Sequence, residues 1–161
     1  MNTITHVTSA SLIALTAANV KSDETHYIYL ALISAGIIDI DHLVLYFRKR
    51  PFFKQNSFTK NLHHARSSLH ELPGIIFFAS LFFVVSLFNL KLALILFLPI
   101  FIHLIQDYLV GISYPFYPLD KQEVRLTKHS TKTAYIMNIV IILISGILWK
   151  LYLQAPVLAI K

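Results

Sequence analysis

The stretch that decides the fold is residues 91–110, KLALILFLPIFIHLIQDYLV, an apolar run that carries His103 and Asp107 near its end. About 20 apolar residues are what one α-helix needs to cross the hydrocarbon core of a bilayer. Ionisable side chains inside such a segment are costly, so they usually mark a functional site. His103 and Asp107 are four residues apart and therefore share one helical face. The stretch predicts a membrane-embedded helix with a site near its C-terminal end.

Further apolar segments lie on both sides of this helix. They cover roughly residues 4–20, 27–47, 72–89 and 134–152. We therefore predict a single domain over residues 1–161 with an all-α fold, a multi-helical integral membrane bundle of about five apolar helices. The first segment is rich in Ser and Thr, which suits a helix packed closely against others, so it is buried, interfacial or spanning.

The composition favours a membrane protein over a soluble one. Hydrophobic residues make up 56% of the chain and charged residues only 14%. Residues 133–149 contain no Asp, Glu, Lys or Arg, and water does not solvate such a long apolar stretch well. The chain has no cysteine, so any bound metal must use nitrogen and oxygen ligands.

The basic residues predict an orientation, because positively charged loops stay in the cytoplasm. Two predicted loops hold ten of the fourteen Lys and Arg residues: Arg48, Lys49, Arg50, Lys54, Lys60, Arg66, Lys121, Arg125, Lys128 and Lys132. With five crossings, the N-terminus then lies inside and the C-terminus outside. The net charge of +6 leaves nucleic acid as a possible partner, but the basic loops adjoin apolar segments, so anionic lipid is favoured.

The ionisable residues in or beside the apolar segments collect at the predicted cytoplasmic end of the bundle. They are His6, Asp39, Asp41, His42, His63, His64, Arg66, His70, His103 and Asp107. A charged group inside a spanning helix costs ~2.5 to 3.5 kcal/mol, so a bound cation would offset the cost of the carboxylates. Carboxylate and neutral imidazole together suit zinc, with manganese as the alternative, as one or more ions.

The spacing suggests roles within this cluster. Asp39 and His42 are three residues apart and can share a helical face, whereas Asp41 cannot join them on a regular helix. Asp41 is then either an outer carboxylate that orients the nucleophile or, if the backbone is irregular, a ligand itself. Arg66 can pair with a phosphate or a carboxylate in bidentate fashion. The predicted metal ligands are His6, Asp39, His42, His64, His70, His103 and Asp107.

Some neighbouring residues have plainer explanations. His26 is predicted at the opposite end of the bundle and is expected to be solvated. Glu71, next to His70, is either a base or a residue that faces water. His6 alone would be read as a packed or interfacial histidine, and His103 with Asp107 as an intrahelical hydrogen bond.

The order of these blocks resembles the LexA-regulated inner-membrane family of metal-dependent hydrolases. Its motifs are an early Gly-His, Pro-Asp-Ile-Asp-His, His-Arg-Gly-x-Thr-His, His-x-x-x-Asp and an aromatic residue before proline. The matching residues are His6, Asp39-Ile40-Asp41-His42, Arg66 with His70, His103 with Asp107, and Tyr117-Pro118. The chain departs from the pattern at Thr5, Ile38 and Ala65, and the last departure makes His64 or His63 the substitute for a family histidine.

The resemblance implies a bacterial inner-membrane hydrolase with its site facing the cytoplasm. More remotely, the motifs are similar to those of zinc-dependent phospholipase C and the fungal single-strand nucleases, which implies a phosphodiesterase whose Asp107 bridges two metals. The substrate would be a phosphoester of a lipid, a nucleotide or nucleic acid, and Arg66 would stabilise the anionic transition state. Two alternatives stay open: a metal or proton transporter, whose groups should lie near the membrane midplane, and a non-catalytic scaffold stabilised by metal.

Overall fold

The computed structural model describes residues 3–40, 44, 68–110, 113–117, 119–120, 122, 124 and 131–154. Within these residues the chain forms five α-helices and a short 3-10 turn at Ser68–His70. The helices are α1 (Thr3–Ala17), α2 (Thr25–Ile37), α3 (Leu72–Ser86), α4 (Leu90–Val110) and α5 (Thr131–Gln154). Each predicted apolar segment overlaps one of them, so the all-α prediction is confirmed for the described residues.

The prediction of about five spanning helices is wrong for the described part of the chain. Only α4 and α5 contain apolar spans of 20 residues there, Leu90–Leu109 and Tyr135–Gln154. Helices α1, α2 and α3 have 15, 13 and 15 residues. At 1.5 Å per residue they extend only about 20 Å, against about 30 Å of hydrocarbon. The second segment, predicted over 27–47, continues into residues outside the described ranges.

Helix α4 lies at the centre of the bundle and packs against α1, α2 and α3. Its apolar side chains build two clusters: Ile95 joins Leu15 and Ile28, while Phe97 and Ile100 pack with Ile38. Asn89 caps α4, because its side-chain oxygen accepts a hydrogen bond from the Leu92 amide at 2.9 Å. A polar cap on an otherwise apolar helix fixes where α4 begins.

The first helix is packed inside the bundle. Ala10, Ala14 and Leu15 are fully buried, and α1 contacts α2, α4 and α5. Four of its hydroxyl groups donate to carbonyls of the preceding turn, as Ser9 does to Thr5 at 2.6 Å. Small residues with internally satisfied hydroxyls allow the neighbouring helices to approach closely, as the Ser and Thr content predicts.

Helix α5 lies on the outside of the bundle and exposes apolar side chains. Trp149 donates to the Thr8 carbonyl at 2.9 Å and Tyr152 donates to the Val20 carbonyl at 2.9 Å, which ties α5 to α1 and to the turn after it. Ile147 is 62% exposed, and residues of similar character cover much of the helix. An apolar surface this large is unfavourable in water and suits hydrocarbon.

Two polar clusters define opposite ends of the bundle. At one end, Lys91 at the start of α4 pairs with Glu24 at 2.7 Å and lies 4.8 Å from the ring centre of Tyr27. At the other end, the side chain of His6 in α1 contacts Gln106 in α4. Helices α1 and α4 are therefore antiparallel, and at 1.5 Å per residue His103 lies about 18 Å along α4 from Lys91.

Candidate metal centre

Five of the predicted site residues meet at one end of the bundle. His6 lies in the first turns of α1, Asp39 follows α2, and His70 closes the 3-10 turn before α3. His103 and Asp107 lie one turn apart in the second half of α4. Helices α1 and α3 begin at this end while α2 and α4 finish there, so residues far apart in sequence become neighbours.

The three imidazoles direct Nε2 towards two carboxylates. Asp107 Oδ1 lies 3.2 Å from Nε2 of His6, and Asp39 Oδ1 lies 3.2 Å from Nε2 of His103. His70 Nε2 lies 3.6 Å from Asp39 Oδ1 and 3.9 Å from Asp107 Oδ2. The rings of His6 and His103 are stacked with centroids 4.3 Å apart. The five side chains thus form one compact group of nitrogen and oxygen atoms.

This group is shielded from solvent. The side chains of His70 and His103 are 0% exposed, that of His6 is 2% exposed and that of Asp107 is 8% exposed. Asp39 is the most accessible of the five at 16%. Burying two carboxylates is expensive unless positive charge or hydrogen bonds compensate for the lost hydration. The burial therefore favours a cation, or protonated imidazole, at this position.

Hydrogen bonds on the far side of two rings set their tautomers. His103 Nδ1 lies 2.7 Å from the carbonyl oxygen of Ala35, which can only accept, so this nitrogen carries the proton. His6 Nδ1 lies 2.7 Å from Gln106 Oε1. Gln106 in turn donates through Nε2 to Ser9 Oγ at 2.9 Å, which leaves its oxygen facing the imidazole. A neutral ring protonated at Nδ1 presents the lone pair of Nε2 to the centre of the site.

The donor atoms fit a divalent ion. His6, His103 and Asp107 form one group of possible ligands, and Asp39, His70 and His103 form a second, each with its ligand atoms within 4.8 Å of one another. Ligands bound at 2.0 to 2.1 Å to one tetrahedral zinc lie about 3.3 Å apart. The shortest separations here, 3.2 Å, are close to that value. His103 belongs to both groups but has one free lone pair, on Nε2, so it can bind one ion only, and a second ion would be held by the remaining donors.

Glu71 is buried and anchors the segment that carries His70. It is 1% exposed and accepts hydrogen bonds from the Tyr108 hydroxyl at 3.1 Å and from the Tyr114 amide at 3.0 Å. The expectation that Glu71 faces water is therefore wrong, and its carboxylate is engaged by α4 and the segment after it. These contacts fix the start of α3 against the end of α4.

Gly74 in the first turn of α3 permits the 3-10 turn to fold back on the helix. A methyl group added at Gly74 would overlap the carbonyl and Cα of Leu69. Any larger residue would therefore displace the backbone next to His70. The close approach explains why a glycine stands here, since only a residue without Cβ fits.

The remaining predicted site residues are Asp41, His42, His63, His64 and Arg66, which lie outside the described residues. His26 is exposed at the far end of the bundle, as expected. The sequence reasoning missed Gln106 and the Ala35 carbonyl, which orient two of the imidazoles. A glutamine inside an apolar helix between His103 and Asp107 was a usable signal, because a polar side chain there needs a partner.

The family model described as YdjM inner membrane protein matches residues 1–160, which is consistent with the inner-membrane resemblance of the motifs. No curated protein and no solved structure matches the chain significantly.

Proposed function

Because the chain belongs to the YdjM inner membrane protein family, we propose that it is a membrane-embedded, metal-dependent hydrolase that cleaves a phosphoester at the cytoplasmic face. The observation that carries the proposal is the convergence of three imidazoles and two carboxylates, from four separate parts of the chain, on one buried point. Buried clusters of this composition rarely serve packing alone, because apolar side chains would fill the space at lower cost.

The membrane placement is supported by two spanning helices and by apolar surface. Helices α4 and α5 are long enough to cross, and α5 exposes Leu143 and Ile147 at 61% and 62%. On this proposal the protein crosses the inner membrane more than once. The shorter helices α1, α2 and α3 pack around α4 within the membrane or at its surface.

The cytoplasmic orientation is supported by the basic residues. Helix α2 finishes and α3 begins at the end that carries the site, and α4 also finishes there. The connections at this end are the sequence segments that hold most of the Lys and Arg residues. Since basic connections remain inside, the site end would face the cytoplasm.

The described residues would hold the metal and organise its surroundings. His6, His70, His103, Asp39 and Asp107 supply the ligands, and zinc or manganese suits a donor set without sulfur. A bound divalent ion would act as a Lewis acid towards the phosphoryl oxygen and would acidify water. The tautomers fixed by Gln106 and Ala35 keep the ligand nitrogens unprotonated.

The proposed reaction is the hydrolysis of a phosphodiester by water. The oxygen of water adds to phosphorus and the bond from phosphorus to the leaving oxygen breaks. One water proton passes to a site base and a proton reaches the leaving oxygen, giving an alcohol and a phosphomonoester. From the sequence, Asp41 is proposed to orient the water and Arg66 to stabilise the anionic transition state, while His42 and His64 would complete the ligand set.

The position of the charged groups argues against a transporter. Between the site end and the Glu24–Lys91 end, the buried side chains of the described helices are mostly apolar, such as Leu15 and Ile95, and the buried polar ones there are uncharged serines such as Ser11 and Ser34. A transported ion needs polar groups near the midplane and a path to both faces. The cluster at one end instead suits chemistry on a substrate that approaches from that side.

The decisive experiment measures metal content and activity in the same preparations. Full-length protein is purified in detergent, its metals are measured by elemental analysis, and hydrolysis of methyl p-nitrophenyl phosphate is followed by release of p-nitrophenolate. We expect bound zinc or manganese and measurable hydrolysis in the wild type, with both lost in His103→Ala and Asp39→Ala.

The matched control is His26→Ala, which removes a histidine at the opposite end of the bundle and should change neither quantity. Unchanged metal content in His103→Ala and Asp39→Ala would remove the metal centre. If the protein binds metal but shows no hydrolysis that depends on His103 and Asp39, the metal has a structural role and the proposed hydrolase activity is refuted.

A further inference from the structure

An apolar cavity lies beside the candidate metal centre, between α3 and α4. It has a volume of about 350 Å³ and is lined by Ile75, Phe101, Leu104, Ile105, Tyr108 and Leu109. All six side chains present carbon surface except for the hydroxyl of Tyr108, so the cavity does not suit a polar molecule. At the packing density of protein interiors this volume accommodates on the order of ten methylene groups.

The cavity is open on the side that would face lipid. Ile105 and Leu109 form its outer wall and are 57% and 48% exposed. Leu104 forms its inner wall and is buried at 1%. In a family of inner-membrane proteins the surroundings of this wall are acyl chains, which can enter from the side without crossing water.

Tyr108 links the cavity to the segment that carries part of the metal centre. Leu104 follows His103 and Tyr108 follows Asp107, so each lies about 100° round α4 from a candidate ligand, whereas Ile105 and Leu109 lie on the opposite face of the helix. The Tyr108 hydroxyl bonds to Glu71, the residue next to His70. A molecule with an apolar tail in the cavity would therefore have its head group near the contact between Tyr108 and Glu71, one residue from His70.

We infer that this cavity holds an acyl chain of the substrate, so the phosphoester cleaved at the adjacent His and Asp cluster is a membrane lipid. The inference rests on the proposed function for the site and adds its substrate class. A nucleotide or nucleic acid has no group to fill an apolar cavity of this size, whereas a lipid offers both a phosphodiester and a tail. Because lipid tails are already out of water, the gain on entering the cavity comes from van der Waals packing of the chain against the cavity wall.

The test compares two substrates that share one reacting group. Methyl p-nitrophenyl phosphate and dodecyl p-nitrophenyl phosphate differ only in the chain that would occupy the cavity. Both are assayed with zinc-loaded, full-length protein in the same detergent, and the readout is the ratio of kcat/KM for the dodecyl ester to that for the methyl ester. Partition of the dodecyl ester into micelles affects all variants alike, so it cancels when variants are compared.

The test variant is Ile105→Trp, which fills the outer part of the cavity, and the matched control is Ile147→Trp on α5. Ile147 is similarly exposed, at 62%, but does not line the cavity. We expect the ratio to exceed ten in the wild type, to fall at least tenfold in Ile105→Trp and to stay within twofold in Ile147→Trp. An unchanged ratio in a folded, metal-loaded Ile105→Trp protein would overturn the inference and leave the hydrolase intact.

A second measurement tests whether an acyl chain occupies the cavity, and it does not depend on enzymatic turnover. The protein is placed in vesicles that contain a phosphatidylglycerol with a photoactivatable diazirine in its acyl chain. The vesicles are irradiated, and the labelled peptides are identified by mass spectrometry. Labelling concentrated on residues 101–109, and reduced in Ile105→Trp but not in Ile147→Trp, supports the inference. Labelling spread evenly over the outward faces of α3 and α5 refutes it. Failure to hydrolyse either ester refutes the proposed function, and with it the assignment of a substrate.

Discussion

Replacing Gln106 with methionine tests whether the metal centre depends on hydrogen bonds made behind its ligands. Gln106 Oε1 accepts from His6 Nδ1 at 2.7 Å, and methionine keeps the size of the side chain while removing this acceptor. A buried donor left without a partner costs about 1 to 3 kcal/mol. The His6 ring can avoid that cost by moving its proton to Nε2, but this nitrogen then no longer binds metal. Either response should raise the Kd for zinc by about 10 to 100-fold, the usual effect of removing such a partner.

The assay is competition for zinc between the detergent-purified protein and a fluorescent chelator. Gln154→Met, the same substitution at an exposed position near the end of α5, is the matched control and should leave the Kd unchanged. The substitution is repeated in a His6→Ala background, where Gln106→Met should have little further effect because its partner is gone. A Kd within twofold of the wild type, or an equal loss with and without His6, would refute this reasoning.

Three further outcomes follow from the same structure. Gly74→Ala should destabilise the protein and weaken zinc binding, because the new methyl group overlaps Leu69 beside His70. The control Gly146→Ala places its methyl group where no other atom is near, so it should leave the Tm unchanged or raise it slightly. Removal of metal by EDTA should lower the Tm, and added zinc should restore it. The expected stabilisation is about 2.7 kcal/mol when the free zinc concentration is 100 times the Kd. An unchanged Tm would contradict the binding of a metal by the folded state. Hydrogen bonding to Lys91 holds the pKa of Glu24 below its ordinary value of 4.5. The Glu24–Lys91 pair should therefore stabilise the fold above pH 4.5, and this stabilisation should be lost as the pH falls through the lowered pKa. Lys91→Met should flatten this part of a plot of Tm against pH without changing the zinc content.

The helices could be predicted from the sequence, but their lengths could not. Apolar runs identify all five described helices, because burial from water depends on side-chain chemistry that is visible residue by residue. The number that can span was overestimated, since apolar residues continue past the point where a helix ends. The second apolar segment was predicted to extend to residue 47, but helix α2 ends at Ile37, two residues before Asp39. Helix termination depends on backbone hydrogen bonding and packing that hydropathy does not report.

Part of the candidate site could likewise be predicted. His103 and Asp107 follow from their spacing on one helix, and Asp39 and His6 from the cost of polar groups in apolar segments. The burial of Glu71 and the contact of Gln106 with His6 did not follow from any spacing. Both depend on how α4 is rotated against α1 and α3, which is a property of packed surfaces.

The sequence by itself determined that this chain is helical and apolar and that any metal it binds has only nitrogen and oxygen ligands, because these properties belong to individual side chains and their periodicity. Only the tertiary structure decided which side chains meet. Three imidazoles converge on the carboxylates of Asp39 and Asp107, one from α1, one from α4 and one from the 3-10 turn that precedes α3. They meet because antiparallel packing brings the ends of these elements together. The tautomers of His6 and His103 are likewise set by Gln106 and Ala35, whose contacts exist only once the helices have packed.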